Sequence, residues 1–134
     1  MIIQGDGASV ELTREEEWGR DTEVPNYYLA TIRASGFEVG QNVYAYDPKN
    51  EGLAKFFAEL ATEWKGWAGS RTWSSLEGEF EIECEHDGLG NIGTVARLHK
   101  NRYYGVGWTG EIHFEISAGQ LDQITHELTR FFKD

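Results

Sequence analysis

The chain has 134 residues, 12 Lys and Arg against 23 Asp and Glu for a formal net charge of -11, and one cysteine. That balance opposes binding to a nucleic-acid backbone or an anionic membrane surface, where affinity comes largely from basic residues neutralising phosphates. With 40% hydrophobic and 13% aromatic residues, and despite a mean hydropathy of -0.53, the composition excludes low complexity and disorder and fits one domain over residues 1–134.

The lone Cys84 rules out an intrachain disulfide and a zinc site of several thiolates, and suits a reducing cytoplasm. The opening MIIQGDGASV holds no basic leader, and no stretch approaches the ~20 apolar residues that span a bilayer. The expectation is a cytoplasmic protein, neither exported by an ordinary signal nor embedded in a membrane.

In SVELTR, Val10 and Leu12 share one side, and NYYLATIRA is rich in the aromatic and branched residues that suit a pleated surface. Both read as strands. The charged EEEWGRDTEVP between them is a loop, with Trp18 placed to fold back on the core. FEVGQNVYAY makes a third strand, paired through the Ser35-Gly36 turn and weakened at Gly40. Asp47-Pro48 then reads as a helix start, with Asp47 as the cap. Leu53, Phe56, Phe57, Leu60, Trp64 and Trp67 trace one helical face, so Trp64 and Trp67 extend the core stripe before Gly66 and Gly69 end the helix.

From Trp73 the pattern changes period. Leu76, Phe80, Ile82 and Cys84 fall on even positions, while Glu77, Glu79, Glu81, Glu83, Glu85 and Asp87 fall on odd ones. After the DGLGN turn, Ile92, Ala96 and Leu98 keep the even phase, with Val95, Arg97 and His99 opposite. A third strand places Val106, Trp108, Ile112, Phe114 and Ile116 on the even face and Thr109, Glu111, His113 and Glu115 on the odd. Period two in three successive segments means a meander with one buried and one wet face. The odd phase puts Trp73 on the wet side, unless a bulge near Ser74-Ser75 turns it inward. Ser117 with Gln120 forms a capping box, and Leu121, Ile124, Leu128 and Phe132 form the stripe of a closing helix. The economical assembly is an α+β domain: an antiparallel sheet of about six strands with two helices packed on one face.

GLGNIG at residues 88–93 matches a dinucleotide-binding string, but the strand before it alternates with glutamates and the segment after it keeps strand phase. It reads as a hairpin turn. Among His86, His99, His113 and His126 no pair has helical i, i+4 spacing, and the histidines on the wet face read as surface residues, so no metal and no cofactor are expected. Cys84 lies in apolar phase, with His86 on the same face, and the glutamate ladder lacks the contrasting environments that an acid–base pair needs. No catalytic residue emerges.

A hairpin register placing Glu81 opposite Arg97, Glu79 opposite His99 and Glu83 opposite Val95 leaves a negative surface bordered by Glu77, Glu85 and Glu111. The leading expectation is a non-enzymatic domain that binds a basic protein partner through Trp73, Glu77, Glu79, Glu81, Glu83, Arg97 and His99. The rival is a small-molecule binder or enzyme with a pocket between sheet and first helix, lined by Trp64 and Trp67. A homo-oligomer is a third reading, and the oligomeric state stays open.

The strings WKGWAGSRTWSSLEGE, NIGTVARLHK and ISAGQLDQITHELTRFF resemble a family of small bacterial proteins known only as a domain of unknown function. The resemblance covers most of the chain from the middle strands to the C-terminus, and its motifs are structural, so it implies no catalytic residue. In size and charge the chain is also similar in character to immunity proteins that neutralise bacterial toxins.

Overall fold

The computed structural model describes residues 1–16, 18–19, 26–47, 52–101 and 105–133. Strands β1 (Ile2–Gln4), β2 (Ala8–Arg14), β3 (Tyr27–Ala34) and β4 (Phe37–Tyr44) precede helix α1 (Leu53–Thr62). Strands β5 (Ser70–Ser74), β6 (Phe80–His86), β7 (Asn91–Lys100) and β8 (Trp108–Ser117) then lead through a 3-10 turn, Ala118–Gln120, into α2 (Leu121–Phe131). Each group of four strands is its own antiparallel sheet, paired in chain order.

The fold is α+β, but the expected single six-stranded sheet is two sheets of four. All six strands read from the alternation are present, and β1 and β5 are the additions. Neither could announce itself by pattern. β1 is three residues long, and β5, SRTWS, carries one large apolar side chain, so there is nothing for it to alternate with.

One core joins all the elements. The even faces of β2, β3 and β6 to β8 bury Val10, Leu12, Ile32, Ile82, Leu98 and Ile112, while α1 adds Leu53, Phe57 and Leu60, and α2 adds Leu121, Ile124 and Leu128. The two sheets approach closely at Gly110 of β8, where an added Cβ would lie 2.9 Å from Val39 Cγ1 and 3.3 Å from Phe37 Cζ. The helices pack on each other.

The helix ends explain two departures from expectation. α1 begins at Leu53 with Gly52 as its N-cap and no side-chain cap bond, so Asp47 is not the cap, and Pro48 lies outside the described residues. The Asp47 carboxylate nevertheless stands at the helix start, since a Cβ at Gly52 would sit 2.8 Å from its Oδ2. At the other end α1 stops at Thr62, two residues before Trp64, and the helical period no longer governs the tryptophans. Trp64 is 54% exposed and is not part of the core. Trp67 does pack against the core, edge-on to the His86 ring with centroids 5.1 Å apart.

The capping box at Ser117 forms as read: Gln120 Oε1 accepts the Ser117 N–H at 2.8 Å, and Gln120 Nε2 reaches Gln4 O of β1. The far end of α2 is held by Arg14 of β2. Its guanidinium donates to Phe131 O at 2.7 Å, Arg130 O at 2.9 Å and Lys133 O at 2.6 Å. Trp18 folds back onto this corner, against Phe131 and Phe132.

Candidate functional site

The outer face of the second sheet is built in rows set by strand register. Glu81 pairs with Arg97 and Arg97 with Glu111; Glu83 pairs with Val95 and Val95 with His113; Glu85 pairs with Gly93 and Gly93 with Glu115. The predicted pairings of Glu81 and Glu83 are therefore those observed. Glu79 and His99 also meet, through the His99 N–H donating to Glu79 O at 2.8 Å.

Trp73 is not on this face. The β5–β6 connection pairs Trp73 with Ile82, so an odd position in β5 matches an even one in β6. The reversal sits in the turn at residues 75–79, where Gly78 takes φ 78° and Ser75 Oγ accepts the Phe80 N–H at 3.1 Å. The indole packs against the core, edge-on to Phe80 with centroids 5.5 Å apart. Leu76 lies in the same turn and Val106 precedes β8, and both are exposed where the even phase had placed them inward.

Charge on the face is unevenly compensated. Arg97 holds three carboxylates: Glu83 at 3.1 Å, Glu81 at 3.8 Å, and Glu111 through its Nε. His99 Nε2 lies 3.1 Å from Glu81, and His113 bonds Glu111 at 2.8 Å. Hydrogen bonds from His113 and then Arg97 hold the Glu111 carboxyl below the usual carboxylate range. Glu79 is occupied elsewhere, its Oε1 accepting from Ser75 Oγ at 2.7 Å and its Oε2 from the Tyr44 N–H at 2.9 Å, which ties the second sheet to β4.

Glu85 and Glu115 make no ion pair among the described residues. They flank Gly93, whose missing side chain opens a concavity of about 430 Å³ bordered also by Ser70, Glu83, Val95 and His113. Gly93 and Glu115 were not singled out from sequence. The signal was present in the alternation but needed the register of three strands to align it.

Other candidates lie in the interior or in turns. Cys84 is fully buried, its Sγ 3.9 Å from Thr94 Oγ1, and burial pushes its thiol up to about 12. His86 accepts the Gly88 N–H at Nδ1, so Nε2 carries the proton that Trp64 O accepts at 2.9 Å. Both ring nitrogens are thus engaged. GLGNIG is a hairpin turn: Asp87 Oδ1 accepts from the Leu89 and Asn91 N–H groups, with Gly88 and Gly90 at positive φ. Among the described residues no group of three His, Cys, Asp or Glu side chains is placed to hold a metal ion. A second concavity, about 480 Å³, is lined by Trp64, Lys65, His86, Gly119 and Asp122, among others, but not by Trp67. None of the described helices is long and apolar enough to cross a membrane.

The chain belongs to a family of unknown function, DUF6228, whose model matches residues 2–134. Neither a curated protein nor a solved structure matches it.

Proposed function

We propose that this chain is a non-catalytic, cytoplasmic protein-binding domain that receives a basic protein partner on the outer face of its second sheet. The observation that carries this reading is the contrast between the Arg97 row and the Gly93 row. Where Arg97 stands, one guanidinium is shared among Glu81, Glu83 and Glu111, so each of these carboxylates has a cationic partner within the chain. Around Gly93, Glu85 and Glu115 are left for an outside cation, with Gly93 and Val95 as a floor for its alkyl stem. A net charge of -11 steers such a partner and makes the encounter salt-dependent. Masking a basic partner, as immunity proteins mask toxins, is one form this role takes.

The test is retention of host proteins on the immobilised chain at low and high salt, beside a Glu85→Lys/Glu115→Lys variant. Reversal at Glu81 or Glu83 is less informative, because it sets a lysine against Arg97 and disturbs the sheet itself. A basic protein held by the wild type, released by salt and lost from the variant at unchanged melting temperature supports the reading. Equal retention on both columns contradicts it.

The exposed Trp64 beside Lys65, whose Nζ lies 5.5 Å from the indole centroid, favours a second reading in which the 480 Å³ concavity takes a small molecule. A metabolite that raises the melting temperature of the wild type, but not of Trp64→Ala, would select it.

A further inference from the structure

We propose that the tyrosine ladder on the outer face of the first sheet, Tyr27, Tyr44 and Tyr46, is a seat for a Lys or Arg side chain presented by a basic peptide segment. Tyr27 and Tyr44 are direct cross-strand neighbours at the ends of β3 and β4. Their ring centroids are 5.3 Å apart, and Tyr46 continues the ladder 5.9 Å from Tyr44. The rings are tilted by 60° and 57° along the ladder, and its two end members keep solvent-exposed surface. Tyr27 is 37% and Tyr46 58% exposed, and Leu29, also exposed, extends the apolar surface on the same face of β3.

Carboxylate residues border this ladder: Glu79 Oε2 accepts the Tyr44 N–H at 2.9 Å, and the Glu15 N–H donates to Tyr27 O at 3.4 Å. Beyond partial desolvation, the charge of Glu77, the neighbouring Tyr44, and the charges of Glu79 and Glu15 all hold the Tyr27 hydroxyl above its usual range. Among the described residues, cations sit over Trp18, Phe131, Trp64 and Trp67, and none over the tyrosines. The negative ring face and the flanking carboxylates attract the same ligand, a cation on an apolar stem. A neutral apolar partner would leave the negative ring faces and the bordering carboxylates unanswered. A second copy would bring another -11 charge and the same carboxylates against it. The inference shares with the proposed function a basic partner but stands on the other sheet, so either can fail alone.

The experiment is a titration of the isotope-labelled full chain with a hexa-arginine peptide, followed by the backbone amide and aromatic ring resonances in NMR. The expected result is a saturable shift of the Tyr27, Tyr44 and Tyr46 rings. Tyr46→Leu, which keeps apolar bulk at an exposed position, should weaken binding about fivefold, while Tyr46→Phe, which keeps the ring face, should restore it. The ring shifts should also survive Glu85→Lys/Glu115→Lys. Shifts confined to the Gly93 row would overturn the ladder site and leave the proposed function standing. Absence of ring shifts, or binding unchanged in Tyr46→Leu, would also overturn it. A concentration-dependent dimer that Tyr46→Leu abolishes would assign the ladder to a second copy and refute a cation seat.

Discussion

Cys84 carries a nucleophilic side chain, and its position removes that chemistry. The thiol is buried between Ile82 and His86 on the inner face of β6, and burial raises it from 9.0 to about 12. An acid raised by folding contributes stability that is fully present below its unfolded value and is lost as the pH climbs to the folded one. Melting temperature should therefore fall between pH 9 and 12 more steeply in the wild type than in Cys84→Ala, as calorimetry across that range would show. Thiol reagents should leave the native protein unlabelled. Cys84 was readable from parity alone, because a long strand with a period of two fixes each side chain's face. The same rule put Trp73 on the wet side unless a bulge near Ser74-Ser75 turned it inward, and it is the inward orientation that is found. Parity passes through a turn only when the turn's register is known, and the segment at residues 75–79 inverts it.

At the scale of elements, ends and crossings carry the specificity. Three charge-assisted bonds from Arg14 satisfy carbonyls at the C-terminus of α2, where the helix dipole also favours a cation. Arg14→Met should cost about 1–3 kcal/mol in denaturant unfolding, with α2 amides exchanging sooner than those of β6 and β7. The glycines of the second sheet separate by environment. Gly110→Ala puts a Cβ within 2.9 Å of Val39 across the sheets and should destabilise by about 1–3 kcal/mol. Gly93→Ala meets nothing nearer than Glu85 O at 3.8 Å and should leave stability unchanged or slightly higher. The Arg14 and Gly110 contacts were illegible in sequence because they join residues more than 70 positions apart. The capping box at Ser117 was legible because its two members are three residues apart.

At the scale of the molecule, the described residues form two halves of one plan, four antiparallel strands and then a helix, with the helices packed together. The halves share topology and not sequence, which is why no repeat was visible and one merged sheet was the simpler expectation. Charge acts at this scale in two directions. Lowering the pH relieves the self-repulsion of the -11 chain, whereas Glu63, Asp87 and Glu111 are held below their usual range by Arg71, by the Leu89 N–H, and by His113 with Arg97. Such depressed carboxylates contribute stability above their unfolded values that is lost as the pH falls through the folded ones. The melting temperature should accordingly rise from pH 8 toward about 5 and drop below about 4, with a shallower acid limb in Glu111→Gln.

The acidic ladder was the most legible part of the candidate site. The centre proposed for it was not, because Glu85, Gly93 and Glu115 converge only through the register of three strands. The most direct measurement is therefore retention of a basic host protein by wild type and by Gly93→Leu, a variant that fills the concavity without altering charge. Loss of the salt-sensitive protein from Gly93→Leu, at a melting temperature within a few degrees of wild type, is the predicted result. Equal retention by both, or no basic protein held by the wild type, would contradict the account.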